Sequence, residues 1–169
     1  MSEEIFDVVD EEDRVIGRAA RSDVHARGLL HRAVNIFVFD DEGRLLLQLR
    51  SPAKDEFPSR YTSSASGHLA AGEDYDTAAA RELEEELGLS TPLTYVGKLP
   101  ASPQTANEHS ALYTTHAAGD LQHDPEEITR VEFLEPAQIA RMIEQTPERF
   151  APPFVALFQW YRAQSHTLQ

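Results

Sequence analysis

The stretch Gly67 to Leu89, GHLAAGEDYDTAAARELEEELGL, restricts this chain more than any other segment. Asp74 is a good N-cap residue and Gly88 a good stop, so the spacing predicts a helix from Tyr75 to Leu87. That helix works against its own electrostatics. Glu84, Glu85 and Glu86 crowd the last turn, where the helix dipole disfavours negative charge, and Glu82 repels Glu86 at i,i+4. Rules broken this densely point to a site where something else compensates, and for clustered carboxylates a divalent cation is the natural candidate. At 100° per residue, Glu82, Glu85 and Glu86 share one arc, with Ala80, Leu83 and Leu87 opposite. Arg81 stands beside Glu85 and within reach of Glu73, tying the preceding loop to the helix. The bland alternative is a solvated acidic face.

That alternative has weight because the whole chain is acidic, with a formal net charge of -14. The same charge argues against nucleic-acid polymers and anionic membrane surfaces as partners. An anionic substrate would need a cation or a local basic patch. Cysteine is absent, which removes disulfides, thiolate zinc sites and thiol nucleophiles. No segment has the length of a membrane span, and the acidic start MSEEIFDVVDEEDR does not resemble a signal peptide, so a cytoplasmic protein is expected.

The 169 residues suit one domain over 1–169. Ile5–Val9 and Arg14–Ala20 read as an N-terminal hairpin within residues 1–30, and Ala33–Phe39 and Arg44–Leu49 as a second hairpin. Residues 51–61 hold two prolines and no period, the mark of a loop. Further strands are expected at Ser63–Gly67, Tyr95–Leu99, Ser110–Ala117 and Val131–Leu134. Helices are expected at Pro136–Glu144 and Pro153–Ala163. Strands mixed with three helices imply an α/β layered domain with a mixed sheet. The N-terminal hairpin and the apolar last helix are compatible with a homodimer.

Gly67, Glu73, Arg81, Glu82, Leu83, Glu85, Glu86, Gly88 and Leu89 match every position of the Nudix hydrolase signature, over a box at 67–89. The resemblance implies an α/β/α sandwich and hydrolysis of a diphosphate linkage, in a nucleoside diphosphate derivative or related organic pyrophosphate, by water attack at phosphorus. It implies Mg2+ or Mn2+ as cofactor. Carried over, Glu82, Glu85 and Glu86 become metal ligands with the Gly67 carbonyl assisting. The general base comes from these carboxylates or from outside the box, and Glu82, Glu85 and Glu108 are the catalytic candidates. Glu73, Arg81 and Gly88 are structural in the motif.

The flanks resemble a narrower branch, that of type I isopentenyl-diphosphate isomerase. The similarity rests on His25, His31, Arg50-x-x-x-Lys54 and Ser66-Gly67-His68. In the isomerase a Cys precedes the Gly-His pair; here Ser66 stands there, with a hydroxyl far less acidic than a thiol. The isomerase's Glu-x-Glu segment aligns with Ala106-Asn107-Glu108, where only Glu108 keeps its carboxylate. Hydrolysis is therefore favoured over isomerisation, and an intact box disfavours a non-catalytic nucleotide-binding module. Arg50 and Lys54 are the candidates for gripping a diphosphate. His68 faces either the metal or the packed interior, and His25 and His31 read more readily as structural or solvated than as ligands. Phe57 and Tyr61 serve either base stacking or core packing.

Overall fold

The computed structural model describes residues 3–167. The N-terminal hairpin is present as β1 (Ile5–Val9) and β2 (Val15–Ala20), paired antiparallel. A short helix, α1 (Arg21–Arg27), follows inside what the sequence presents as a plain connection. Its seven residues are too few to display a helical period, and its N-cap residue Ala20 makes no side-chain hydrogen bond. Tertiary packing holds it instead, through the fully buried Val24.

The second hairpin departs from expectation. β3 (His31–Phe39) and β4 (Leu45–Arg50) pair only at the tip, where Phe39 faces Leu45. Beyond that point they splay. The segment after the proline loop enters the gap as β5 (Tyr61–Thr62), which pairs with β4, and β6 (Ala65–His68), which pairs with β3. Ser64, wholly buried, is the wedge between them. Its hydroxyl accepts from the Val38 N–H at 2.9 Å and donates to the Leu46 carbonyl at 2.5 Å, supplying the bonds the parted strands no longer give each other.

Around this fork the sheet is mixed. After α2 (Tyr75–Leu87), β7 (Thr94–Leu99) lies antiparallel to β8 (Glu108–His116), and β8 runs parallel to β3. β9 (Ile128–Leu134) extends the sheet on the far side of β4, longer than expected because its Thr129 and Arg130 are exposed and hide the apolar pattern. Alternation along β3 sends Val34, Ile36 and Val38 to the face covered by α2, with Leu83 and Leu87. Phe37 points to the other face, against Ile139 of α3 (Pro136–Gln145) and Phe154, Leu157 and Phe158 of α4 (Pro152–Thr167). Helices on both faces of a mixed sheet make the expected α/β/α sandwich, with four α-helices among the described residues rather than three.

Asp13, in the β1–β2 turn, anchors the hairpin. It accepts hydrogen bonds from Arg32 Nε and the Tyr75 hydroxyl at 2.7 Å each and from Lys98 Nζ at 2.5 Å. β1 is also bonded to the loop before α2 through the Ile5 carbonyl and the Ala71 N–H at 2.8 Å. These ties fix α1 beside the first residue of β3.

Replacing Ser64 by alanine leaves the Val38 N–H and Leu46 carbonyl buried and unpaired. Denaturant unfolding of Ser64→Ala should show a loss of about 1–3 kcal/mol, and an unchanged midpoint would mean the fork closes without the hydroxyl.

Candidate active site

α2 begins and ends as its sequence dictates. The Asp74 side chain caps the Thr77 N–H at 2.7 Å, and Gly88 takes the left-handed conformation (φ +68°), its N–H bonded to the Glu84 carbonyl. The expected faces need correction. Ala80 is exposed, and the buried positions are Ala78, Ala79, Leu83 and Leu87. In the i, i+3, i+4 pattern these residues flank positions 82 and 86. Glu82 and Glu86 therefore lie within the packed stripe, facing β6, rather than on an acidic face opposite it. Only Glu85 stands at the rim, with its side chain 59% exposed.

The backbone of β6 receives these carboxylates. Glu86 accepts from the Ser66 N–H at 2.9 Å and from the Gln48 amide at 2.8 Å, and that same amide also donates to the Ser64 carbonyl. Glu82 lies directly on Gly67: a Cβ there would sit 2.2 Å from the Glu82 carboxyl carbon. Glycine at this position is what lets the carboxylate reach the strand. Arg81 locks the arrangement. Its guanidinium binds both oxygens of Glu73 at 2.8 Å, Glu82 at 2.7 Å, Glu85 at 3.2 Å and the His68 carbonyl at 3.2 Å.

Burial pushes Glu82 and Glu86 up to about 7, against the pull of Arg81 on Glu82 and despite the Gln48 and Ser66 donors on Glu86. Each of the two carboxylates lies close enough to a neighbouring acid to add to the rise: Glu85 beside Glu82, and Glu82 beside Glu86.

A second group of side chains adjoins the first. His25 of α1, His31 at the start of β3 and His68 at the end of β6 converge with ring centroids 5.1–5.6 Å apart, over the Phe6 ring. Their nitrogens lie within 4.8 Å of one another. Glu108, at the start of β8, places one oxygen 2.9 Å from His68 Nε2 and 3.6 Å from His31 Nε2. Glu56, from the 51–60 loop, brings an oxygen to 2.9 Å from His25 Nε2. Burial opposes the charge on Glu108, but His68 and His31 outweigh it and hold this carboxylate down at about 2. Burial likewise acts to lower His68, and Glu108 wins by raising it; in His25 burial prevails over Glu56 and lowers it.

The histidine and carboxylate donors fit a divalent cation, whereas Glu82, Glu85 and Glu86 do not bring three ligand oxygens within 4.8 Å of one another. Among the described residues, the Nε2 atoms of His25 and His31 are buried without a well-formed hydrogen bond, which is costly unless something else binds them. Imidazoles with carboxylates suit zinc, manganese or iron, whereas the all-oxygen set of Gly67, Glu82, Glu85 and Glu86 suits magnesium or manganese.

Gly67, Glu82, Glu85 and Glu86 of the first group and Glu56, His68 and Glu108 of the second line one cleft of about 660 Å³, together with Arg21, Arg50, Lys54 and Phe57; His25 and His31 lie behind this lining. Arg50 Nε donates to the Glu56 carbonyl at 2.9 Å, and Lys54 is paired with Glu127. Tyr61 is core: buried, with its hydroxyl bonded to Glu132 and Arg130. His109 bonds the Ala101 N–H and the Asp10 carbonyl. Sequence reasoning missed Gln48, Glu56 and the convergence of the histidines. Gln48 had a readable signal, a lone amide within the apolar strand LLLQLR. Glu56 had none, because the approach of its loop to α1 is a tertiary fact.

A model of the NUDIX domain matches residues 29–158. The chain belongs to the Nudix family. It is an enzyme of the Nudix pyrophosphohydrolase type. It is 35% identical over 148 residues to a prenyl-diphosphate phosphatase of Methanosarcina mazei, covering 85% of this chain and 86% of that one. It is also 35% identical over 162 residues to an isopentenyl-diphosphate Δ-isomerase of Serratia proteamaculans, covering 93% and 90%. Among solved structures, DR0079 from Deinococcus radiodurans superposes with a TM-score of 0.82 at 28% identity, over 92% of this chain and 98% of that one. Among the described residues no helix is long and apolar enough to cross a membrane.

Gly67→Ala tests the contact between glycine and carboxylate. The added methyl meets the mobile end of Glu82, so unfolding free energy should change by less than about 2 kcal/mol. Mg2+ affinity measured by calorimetry should fall by about tenfold or more, and an unaltered affinity would show that Glu82 need not touch the strand.

Proposed function

We propose that this enzyme hydrolyses the diphosphate linkage of an organic pyrophosphate with the help of a divalent cation held by the acidic helix. One observation carries the reading: two half-buried, mutually repelling carboxylates, Glu82 and Glu86, face a cleft that also presents Arg50 and Lys54. Left alone, that pair is a defect in the core, and a cation resolves it. Glu82, Glu85, Glu86 and the Gly67 carbonyl bind Mg2+ or Mn2+. Such a cation, when bound, neutralises diphosphate charge and acidifies water. Arg50 and Lys54 receive the far phosphoryl group. Glu85, the one carboxylate of the three at the solvent rim, takes the proton of the attacking water. The water oxygen bonds to phosphorus as the bridging P–O bond breaks, and the bridging oxygen leaves on the other phosphate. Glu73, Arg81 and Gly88 hold the helix and its preceding loop in place. Glu108 keeps His68 oriented at the cleft wall through the 2.9 Å contact with its Nε2.

The substrate is a small-molecule diphosphate, either a nucleoside diphosphate derivative or a prenyl diphosphate. The prenyl reading is favoured by the Methanosarcina mazei relative and by Phe6, Phe57 and Pro153 along the cleft. An isomerase reading is opposed by Ser66, which offers no thiol. The proposal takes residues 1–169 as one Nudix unit, resident in the cytoplasm.

Steady-state hydrolysis with Mg2+ or Mn2+, across nucleotide sugars, ADP-ribose and prenyl diphosphates, should fall by about a hundredfold in Glu86→Gln; equal turnover would remove the acidic helix from the reaction. The raised carboxylates also make cation binding a proton-releasing event. Protons compete below pH 7 and are displaced above it, so Mg2+ affinity should rise between pH 6 and pH 8. Calorimetry in two buffers of different ionisation enthalpy reads the protons released, and a flat profile would contradict the shared site.

A further inference from the structure

The basic side chains of the cleft differ in how firmly the protein's own acids hold them. Arg81 is bound by Glu73, Glu82 and Glu85, and Arg21 by Glu4 and Asp55. Lys54 has a single carboxylate, that of Glu127. The surrounding chain holds this pair at the cleft wall. Arg50 at the end of β4 pairs with Ile128 at the start of β9. Just beyond them the Ser51 N–H bonds the Glu127 carbonyl at 3.0 Å, and the Lys54 N–H bonds the Ser51 carbonyl at 3.2 Å. Asp124 shapes the turn into β9: its carbonyl accepts from the Glu127 and Ile128 N–H groups at 3.0 and 2.9 Å, and its side chain from the Glu126 N–H at 2.9 Å. The same segment is tied to the end of α2. The Gln122 N–H donates to the Leu87 carbonyl at 2.9 Å, and a Cβ on Gly88 would meet the Gln122 Cβ at 3.2 Å. Residues 122–127 thus run from the acidic helix to the Lys54 loop, and Asp124 and Glu127 face the cleft.

We propose that Glu127 is an internal competitor for Lys54, and that the substrate's phosphoryl group binds by displacing this carboxylate from the ammonium. The proposal rests on the reading that Arg50 and Lys54 grip a diphosphate. An ion pair in contact with solvent is worth little, so it yields to a phosphoryl group of higher charge and more acceptor oxygens. Glu127 has room to leave: its side chain is 49% exposed, and Lys54 is its one charged partner among the described residues. Arg21 and Arg81 do not exchange in this way, because releasing one acid leaves another in place. The carboxylate near Lys54 still subtracts from the attraction the anion feels, so Glu127 sets how tightly the cleft holds a diphosphate.

The test measures, by calorimetry with Mg2+ present, binding to the full chain of methylenediphosphonate, a diphosphate whose bridge water cannot cleave. Wild type, Glu127→Gln, Lys54→Ala and the double variant form one cycle. Glu126→Gln removes the same charge one residue away, and thermal unfolding checks that each variant folds. Expected is a Kd about fivefold or more lower in Glu127→Gln than in wild type. Glu126→Gln should change it by less than about twofold, and Glu127→Gln should give no gain once Lys54 is alanine. Equal affinity in wild type and Glu127→Gln would overturn the competition, as would binding to neither. Equal gains from the two glutamine variants, or a gain that persists without Lys54, would assign the effect to net charge and overturn it as well. The hydrolase reading fails separately, if the cycle behaves as expected while Mg2+-dependent diphosphate hydrolysis does not appear.

Discussion

The structure turns on two carboxylates placed where a helix should carry leucines. Glu82 and Glu86 occupy the stripe of α2 that packs on the sheet, between Ala78, Ala79, Leu83 and Leu87. Desolvating a pair of like charges is among the costlier arrangements a core can contain. The neighbours read as responses to it. Gly67 surrenders its side chain so that Glu82 can lie on β6, Ser66 and Gln48 donate to Glu86, and Arg81 spans Glu73, Glu82 and Glu85. These responses lessen the cost without removing it, since both carboxyls still sit near 7. The remaining imbalance is what a bound divalent cation would offset under the proposed function.

The fork between β3 and β4 supplies the geometry. Were the two strands paired along their length, no strand could enter between them, and β6 would have no place opposite α2. Ser64 holds the fork open, and β6 then delivers Ser66, Gly67 and His68 to the helix in consecutive order. The parallel pairing of β8 with β3 sets Glu108 opposite His31. Asp13 pins the N-terminal hairpin so that α1 adds His25. Five separate elements thus converge on one cleft, where three basic side chains, Arg21, Arg50 and Lys54, give a chain of net charge -14 a place to receive an anion.

Much of this was legible in the sequence, for local reasons. The caps Asp74 and Gly88, the box register and the Glu73–Arg81 pairing are all encoded within 23 consecutive residues, and the sandwich followed from strand and helix periods. The errors share a cause. Placing Ala80 on the buried side assumed that carboxylates avoid a packed stripe, and only tertiary compensation makes them acceptable there. The long β3–β4 hairpin was a sound local inference, overridden by a serine whose hydroxyl replaces backbone pairing. His25 and His31 were read as structural or solvated because their nearness to His68 depends on a parallel crossover and a docked hairpin, and neither has a short-range signature. Glu56 lay in a loop without period, where sequence carries least information about contact.

The central claim is that water attacks phosphorus at a cation held by this helix. Its most direct test is turnover in 18O-labelled water with Mg2+ or Mn2+, using isopentenyl diphosphate, geranyl diphosphate and ADP-ribose, with products resolved by mass spectrometry. The account predicts a phosphate product carrying one 18O atom from at least one of these compounds, and no product after chelation of the metal. Double-bond migration in isopentenyl diphosphate with both phosphoryl groups retained and unlabelled, and no labelled phosphate from the other compounds, would contradict it.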